Sequence, residues 1–233
     1  LNYHEQYLEP FLRNFPGKKL IVSESTSALM TRGYYEMPSD HIYIRPESWD
    51  KPFEAPEHVC SSYDNCHVPW GSTHEKTWHL VRTLPHVSGL FVWTGFDYLG
   101  EPTPYWWPSR SSFFGIVDLA GFPKDVYYMY KSEWTDEPVL HIFPHWNWKE
   151  GEPVDIWGYY NNADEVELYL NGKSLGVRQK TDSTYHVSWR VPFTPGTLKA
   201  VSRLGGKEVL VKEIHTAGEP ARLVLTPDRS VIQ

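Results

Sequence analysis

The stretch Leu20-Ile21-Val22-Ser23-Glu24-Ser25-Thr26 is a short apolar, β-branched run that ends in polar residues, and Leu90-Phe91-Val92-Trp93 repeats its character further along. A run without apolar–polar alternation suits a strand buried on both faces, as in a parallel sheet. Between the two runs, Ser72-Thr73-His74-Glu75 reads as a capping box, and Trp78, Val81 and Leu84 follow on one helical face. Upstream, Tyr3, Tyr7, Phe11 and Phe15 recur every four residues and predict a helix that Pro10 kinks or starts. Downstream, Pro123 opens a further helix with Val126, Tyr127, Tyr130 and Trp134 in register. Helix, strand, long loop, helix, strand, long loop, helix is the rhythm of the last βα units of a parallel α/β fold.

The pattern changes near Thr135-Asp136-Glu137-Pro138. Short strands are expected at 139–143, 154–160, 165–170, 173–177, 185–191, 198–203 and 207–215. Asn171-Gly172 predicts a type I′ hairpin turn, and Gly205-Gly206 marks another. This spacing reads as an immunoglobulin-like β-sandwich over 136–216, with local pairings that should let it fold by itself. Trp157 and Tyr159 share a face with Asp155, as expected equally for a sugar-binding platform and for a strand packed on the first half; the buttressing role is the favoured one. Residues 217–233 then read as a linker and the start of a further β domain, with Arg222-Leu223-Val224-Leu225 as its one strand.

Composition narrows the function. The chain has 233 residues, and its net charge of −7 argues against nucleic acid as the main partner. No apolar run is long enough to span a bilayer. Eleven Trp, 15 Tyr and 10 Phe are unusually many, and Trp and Tyr suit flat, polar-rimmed ligands such as sugars. The segments 27–71 and 94–122 are too long to be mere connectors. Each follows the C-terminal end of a strand, the face that builds the active site of a (β/α)8 barrel. Between them they hold Tyr34, Tyr35, Tyr43, Trp49, Tyr63, Trp70, Tyr98, Tyr105, Trp106 and Trp107, placed where such a barrel would meet its ligand.

Two of these stretches carry a family resemblance. The run from Leu20 to Thr26 resembles barrel strand seven of glycoside hydrolase family 2, the β-galactosidase and β-glucuronidase family. The run from Gly89 through Trp93-Thr94-Gly95-Phe96-Asp97 to Glu101 resembles its strand eight. The resemblance implies that residues 1–135 are the last part of a (β/α)8 (TIM) barrel and that 136–216 are the sandwich that follows it. It implies a retaining exo-β-glycosidase, with β-galactosides as the favoured substrate class and Glu24 as the nucleophile. Trp93 would floor the sugar subsite, while Asp97, Trp70, Arg32 and Glu101 are candidates for substrate contact. Arg32 could pair with Glu24 or cap a loop instead. The family's acid/base glutamate follows an Asn on strand four; no Asn-Glu dipeptide occurs here, so that residue would lie outside this chain, and the chain alone would hydrolyse nothing. Some relatives have a His three residues after the nucleophile, where this chain has Ser27. Some also use Mg2+ or Na+, for which no motif is visible, and an oligomer is compatible with the family.

Other readings compete. Glu24 could be an ordinary strand-end charge, and Trp93 a core residue. His58, Cys60, Cys66 and His67 fall close together, but the Cys spacing is wider than zinc sites use. A local disulfide is expected if the protein is exported, and two free thiols if it is not. A non-catalytic sugar-binding or adhesive β-sandwich protein with a barrel remnant is the alternative of a different class.

Overall fold

A computed structural model describes residues 1–48, 50–51 and 58–229; Trp49 lies outside the described residues. Strand β1 spans Leu20–Thr26, β2 Tyr43–Ile44, β3 Cys66–His67 and β4 Val87–Trp93. β1 and β4 pair in parallel, and helix α2 (His74–Thr83) lies between them in the chain. Val22, Val81 and Val87 bury the space between this helix and the strands, together with Leu8. The opposite strand face is open: Ile21 is 50% exposed and Phe91 67%.

The expected N-terminal helix does not form as one piece. A 3-10 turn at Glu5–Tyr7 and a short helix α1 (Phe11–Asn14) stand on either side of Pro10. Proline offers no N–H to continue a helix. Before the turn, the chain runs alongside β1: Ser23 N donates to Leu1 O at 2.7 Å and Tyr3 N to Glu24 O at 2.8 Å. Those ladder bonds hold Tyr3 away from any helical register with Tyr7.

The cap of α2 is one residue later than the sequence pattern suggests. Thr73, extended, accepts from Lys76 N at 3.4 Å. Ser72 N is engaged by Thr26 O, which keeps Ser72 in the incoming strand-like segment. The first two helical N–H groups, of His74 and Glu75, donate to the Asp64 carboxylate at 2.9 and 2.7 Å. Glu75 therefore does no capping. Its carboxylate accepts from His186 Nδ1 at 2.6 Å and Tyr185 N at 3.2 Å, in the second half of the chain.

The segment 27–71 has a core of its own. Leu29, Cys60, Cys66 and Val68 pack with Tyr105 and Phe114 of the later loop. Tyr63 and Tyr105, expected to face a ligand, are instead fully buried, while Trp106 and Trp107 are 66% and 76% exposed. A long ordered segment without regular elements must bury its own large side chains to offset the entropy of ordering it.

Helix α3 (Asp125–Trp134) leads into seven strands: β5 (Leu140–Phe143), β6 (Pro153–Tyr160), β7 (Glu165–Leu170), β8 (Lys173–Arg178), β9 (His186–Pro192), β10 (Thr197–Leu204) and β11 (Lys207–His215). They form two antiparallel sheets, ordered β5-β6-β9 and β11-β10-β7-β8. Ile142, Ile156 and Trp189 of one sheet meet Val166, Leu168 and Leu198 of the other, so the expected sandwich is present. Asn171 and Gly172 both have positive φ, 51° and 80°, as a type I′ turn requires. The outer face of the smaller sheet packs on the first half. Phe143, Trp157 and Tyr159 join Tyr63, Met129 and Tyr130 in a shared aromatic layer. The expected strand at 222–225 is absent; Leu223 and Leu225 are 85% and 83% exposed, and no described strand lies beside them to complete a ladder.

Candidate active site

The C-terminal end of β1 carries an irregularity. Val22 pairs with Leu90 and Ser25 with Val92, so β1 accommodates an extra residue over the step that holds Glu24. A bulge bends its strand and re-aims side chains, which is why bulges gather near functional sites. Glu24 ends up half-buried between the fully buried Val22 and Ser25. Asn2 Nδ2 donates to Glu24 Oε2 at 3.3 Å. The Tyr3 hydroxyl reaches both Glu24 and Trp70 and lies 2.5 Å from Ser27 Oγ. Burial, then the hydrogen bond and charge of Glu24, push the Tyr3 hydroxyl well above its ordinary range, against the opposing bond from Ser27. Tyr3 therefore stays protonated and donates to the Glu24 carboxylate.

Trp93 lies beside Thr26 across the parallel ladder, with its ring edge-on to Tyr98 at 5.8 Å and 77°. Burial first, then the charges of Glu101 and Glu24, raise the Tyr98 hydroxyl, while Trp93 and Ser112 bond to it and lower it. The structure thus gathers Glu24, Trp70 and Trp93 with Asn2, Tyr3, Ser27 and Tyr98. A cleft of about 460 Å3 is lined by two of them, Tyr3 and Trp70, with Glu5, Ser25 and Lys76, and by neither Glu24 nor Trp93. A larger cleft, about 610 Å3, lies between α2 and β9 and holds none of the expected residues. Its size alone carries no chemistry, because its His186 and Glu75 are already spent on each other.

Arg32 does not pair with Glu24, and Asp97 and Glu101, expected to meet the sugar, have their own surroundings. Arg32 Nε donates to Asp118 Oδ2 at 2.6 Å and the guanidinium lies 4.8 Å over the Phe122 ring. The Asp118 carboxylate also accepts from Ala120 N and Phe122 N, so Arg32 ties down that turn. Asp97 is held in a buried ion pair with Lys124 Nζ at 2.9 Å and accepts from Gly115 N at 2.8 Å. Burial raises Asp97 and lowers Lys124, each opposed by the partner's charge. Asp97 is therefore committed to holding the loop behind Trp93. Glu101 is solvent-exposed.

Tyr3 and Asn2 join the group without having been singled out as site residues by the sequence pattern, and Ser27, noted only for standing where some relatives have a His, joins it through Tyr3. Tyr3 was absorbed into an aromatic stripe, and only the parallel alignment of residues 1–3 with β1 places it on Glu24. Among the described residues no group of three or more His, Cys, Asp or Glu is placed to hold a metal. No helix among them is long and apolar enough to cross a membrane.

A family model described as a domain of unknown function (DUF4982) matches residues 151–210. The chain is 62% identical, over 99% of its length, to beta-galactosidase BoGH2A of Bacteroides ovatus, and spans 27% of that relative. It is 32% identical, over 94% of its length, to a beta-glucuronidase of Formosa agariphila, and spans 21% of it. Among solved structures, a beta-glycosidase from Bacteroides vulgatus superposes with a TM-score of 0.81 at 33% identity, over 95% of this chain and 30% of that one. A glycosyl hydrolase family 2 member from Bacteroides cellulosilyticus gives 0.64 at 26% identity, over 98% of this chain and 27% of that one. The chain spans about a quarter of the length of the curated relatives it matches. Relatives and structural neighbours alike are glycoside hydrolase family 2 proteins, and this chain is a segment of that family's sequence.

Proposed function

We propose that this chain supplies the nucleophile-bearing part of a retaining exo-β-glycosidase that removes terminal β-linked galactose. Residues 1–135 are then the closing βα units of a (β/α)8 barrel, and 136–216 the immunoglobulin-like sandwich after it. Glu24, on a bulged strand end and held by Asn2 and Tyr3 beside Trp93, is the observation that carries this reading. The open faces of Ile21 and Phe91 support it too, since barrel strands are covered on both sides.

In this reading the Glu24 carboxylate attacks the anomeric carbon and forms a glycosyl-enzyme intermediate. A second carboxyl about 5–5.5 Å away, outside this chain, protonates the leaving oxygen and then activates water. Tyr3, protonated at working pH, orients Glu24 through its hydroxyl. Trp93 offers a face to the pyranose ring. The name of the 62% identical relative supports galactose. Relatives named beta-glucuronidases raise a uronic acid as the second reading.

The test uses the full-length protein. Glu24→Gln should lower kcat on nitrophenyl β-galactoside by about 10^4-fold or more, because the amide cannot attack. Trp93→Ala should weaken binding and turnover together. Azide entering the space left by Glu24→Ala should give the α-glycosyl azide. Near-normal turnover by Glu24→Gln makes Glu24 a structural strand-end charge. Faster turnover of the nitrophenyl β-glucuronide overturns the sugar assignment. The present chain alone, lacking the acid, should be inactive.

A further inference from the structure

Cys60 and Cys66 take no part in the site just described, and both are buried. Their sulfurs lie 3.6 Å apart, in van der Waals contact and unbonded. Their backbones are tied to one segment: Thr31 N donates to Cys60 O at 2.9 Å and Leu29 N to Cys66 O at 2.8 Å. The Thr31 hydroxyl also accepts from Cys60 N at 3.1 Å. These bonds hold the two cysteines beside alternate residues of the same extended stretch. Closing to the ~2.05 Å of a disulfide then needs side-chain rotation rather than a new backbone path.

The surroundings of the two sulfurs differ. Cys66 Sγ donates to Cys60 Sγ, and the Tyr105 hydroxyl lies 2.7 Å from Cys60 Sγ. Burial works against a Cys60 thiolate, yet the bonds from Cys66 and Tyr105 and the charge of Arg45 outweigh it and hold that thiol below its ordinary value. The bond to Cys60, then burial, pushes Cys66 well above its own. A low-lying thiol with a resolving partner in contact is the arrangement that disulfide exchange uses. The bland alternative is two apolar core fillers, since free Cys packs as a small hydrophobe.

We propose that Cys60 and Cys66 form a reversible intramolecular disulfide that closes the 60–66 loop behind the Glu24 site, with Cys60 as the attacking sulfur. The oxidant is a low-molecular-weight disulfide. The Cys60 thiolate attacks one of its sulfurs and expels a thiolate, leaving a mixed disulfide. Cys66 gives up its proton and attacks the Cys60 sulfur, expelling the second thiolate. The protein loses two electrons and two protons, and the oxidant leaves as two thiols. Cys60 and Cys66 belong to the same packed cluster as Trp70, Trp93 and Tyr98, so the staple sits directly behind the aromatic wall of the site.

The full-length protein, reduced and unfolded in urea, is refolded in reduced and oxidised glutathione, quenched with acid and alkylated under denaturing conditions. Arg45 and Lys51 both precede proline, so trypsin leaves both cysteines in one peptide, 33–76. That peptide should appear unalkylated and about 2 Da lighter than its reduced form. The oxidised protein should melt ~3 °C or more above the reduced one. Two alkylated cysteines after refolding, or a persistent glutathione adduct, overturn the pairing. In the folded protein with oxidised glutathione, Cys66→Ser should form the Cys60 adduct faster than Cys60→Ser forms the Cys66 adduct; equal or reversed rates overturn Cys60 as the attacking sulfur.

Discussion

Asp97, read from sequence as a sugar contact, also serves the fold. It follows Trp93 closely enough to accept from a sugar hydroxyl, yet in the fold it faces Lys124, whose side chain is 1% exposed. Lys124 Nζ also donates to Met30 O at 2.7 Å and Phe113 O at 3.3 Å, so one ammonium joins the two long loops. Removing one partner of a buried pair strands the other charge, at a cost of about 3–5 kcal/mol. Lys124→Met should therefore lower the unfolding free energy by that order in urea titrations, with Asp97→Asn costing less because the amide still accepts from Gly115 N. Equal costs would mean that the charge, which both variants remove from the pair, carries the stabilisation and the retained acceptor adds nothing. Gly115 itself permits this arrangement, since a Cβ there would sit 2.0 Å from Asp97 N.

On the scale of single elements, the start of α2 places two titratable groups with opposite responses to pH. Burial, then the charge of Glu75, raises the Asp64 carboxyl to about 7, although the His74 and Glu75 N–H groups pull it down. Burial lowers His74 to about 3, and its ring stays neutral between Thr26 Oγ1 at 3.1 Å and the Tyr130 hydroxyl at 2.8 Å. Between pH 4 and 7 the folded chain holds a proton on Asp64 that the unfolded chain releases, so this group's contribution falls as pH rises. Between pH 3 and 6.5 the unfolded chain protonates His74 and the folded chain does not, so that contribution rises with pH. The two slopes oppose each other in wild type. Asp64→Asn removes the first, and stability measured from pH 4 to 6.5 should then climb more steeply with pH. An unchanged slope would mean that Asp64 is ionised throughout. The same helix shows why the expected capping box slipped: Glu75 gains more from His186 across the interface than from its own helix end.

For the whole molecule, the question is how far the sandwich depends on what precedes it. The core between the two sheets draws all its fully buried members from residues 140–200. The second aromatic layer does not: Phe143, Trp157, Tyr159 and Tyr185 are covered by Ala28, Met30, Tyr63 and α3. A fragment of residues 136–216 should thus fold cooperatively by circular dichroism and urea titration, yet bind a hydrophobic dye through the uncovered layer. An unfolded fragment would show that the sandwich needs the first half. Trp157→Ala in the whole chain should cost about 3–5 kcal/mol, the range for emptying a buried Trp site.

The paired strands β1 and β4, the two longer helices and the seven strands of the sandwich followed from the sequence itself, because periodicity and turn chemistry are local. The apolar runs at β1 and β4, the Asn171-Gly172 turn and the seven strand-sized segments each announce themselves within a few residues. The strand-end motifs carried the family likeness for the same reason. What the tertiary structure alone decided was partnership. Tyr3 meets Glu24 through the parallel alignment of the first residues with β1, and Arg32 and Asp97 are taken by Asp118 and Lys124 from later loops. Tyr63 and Tyr105 became core because the loops fold onto each other. Such contacts join residues far apart in the chain, and a side chain's residue type says that it can pair, whereas only the packed fold determines with which group it does.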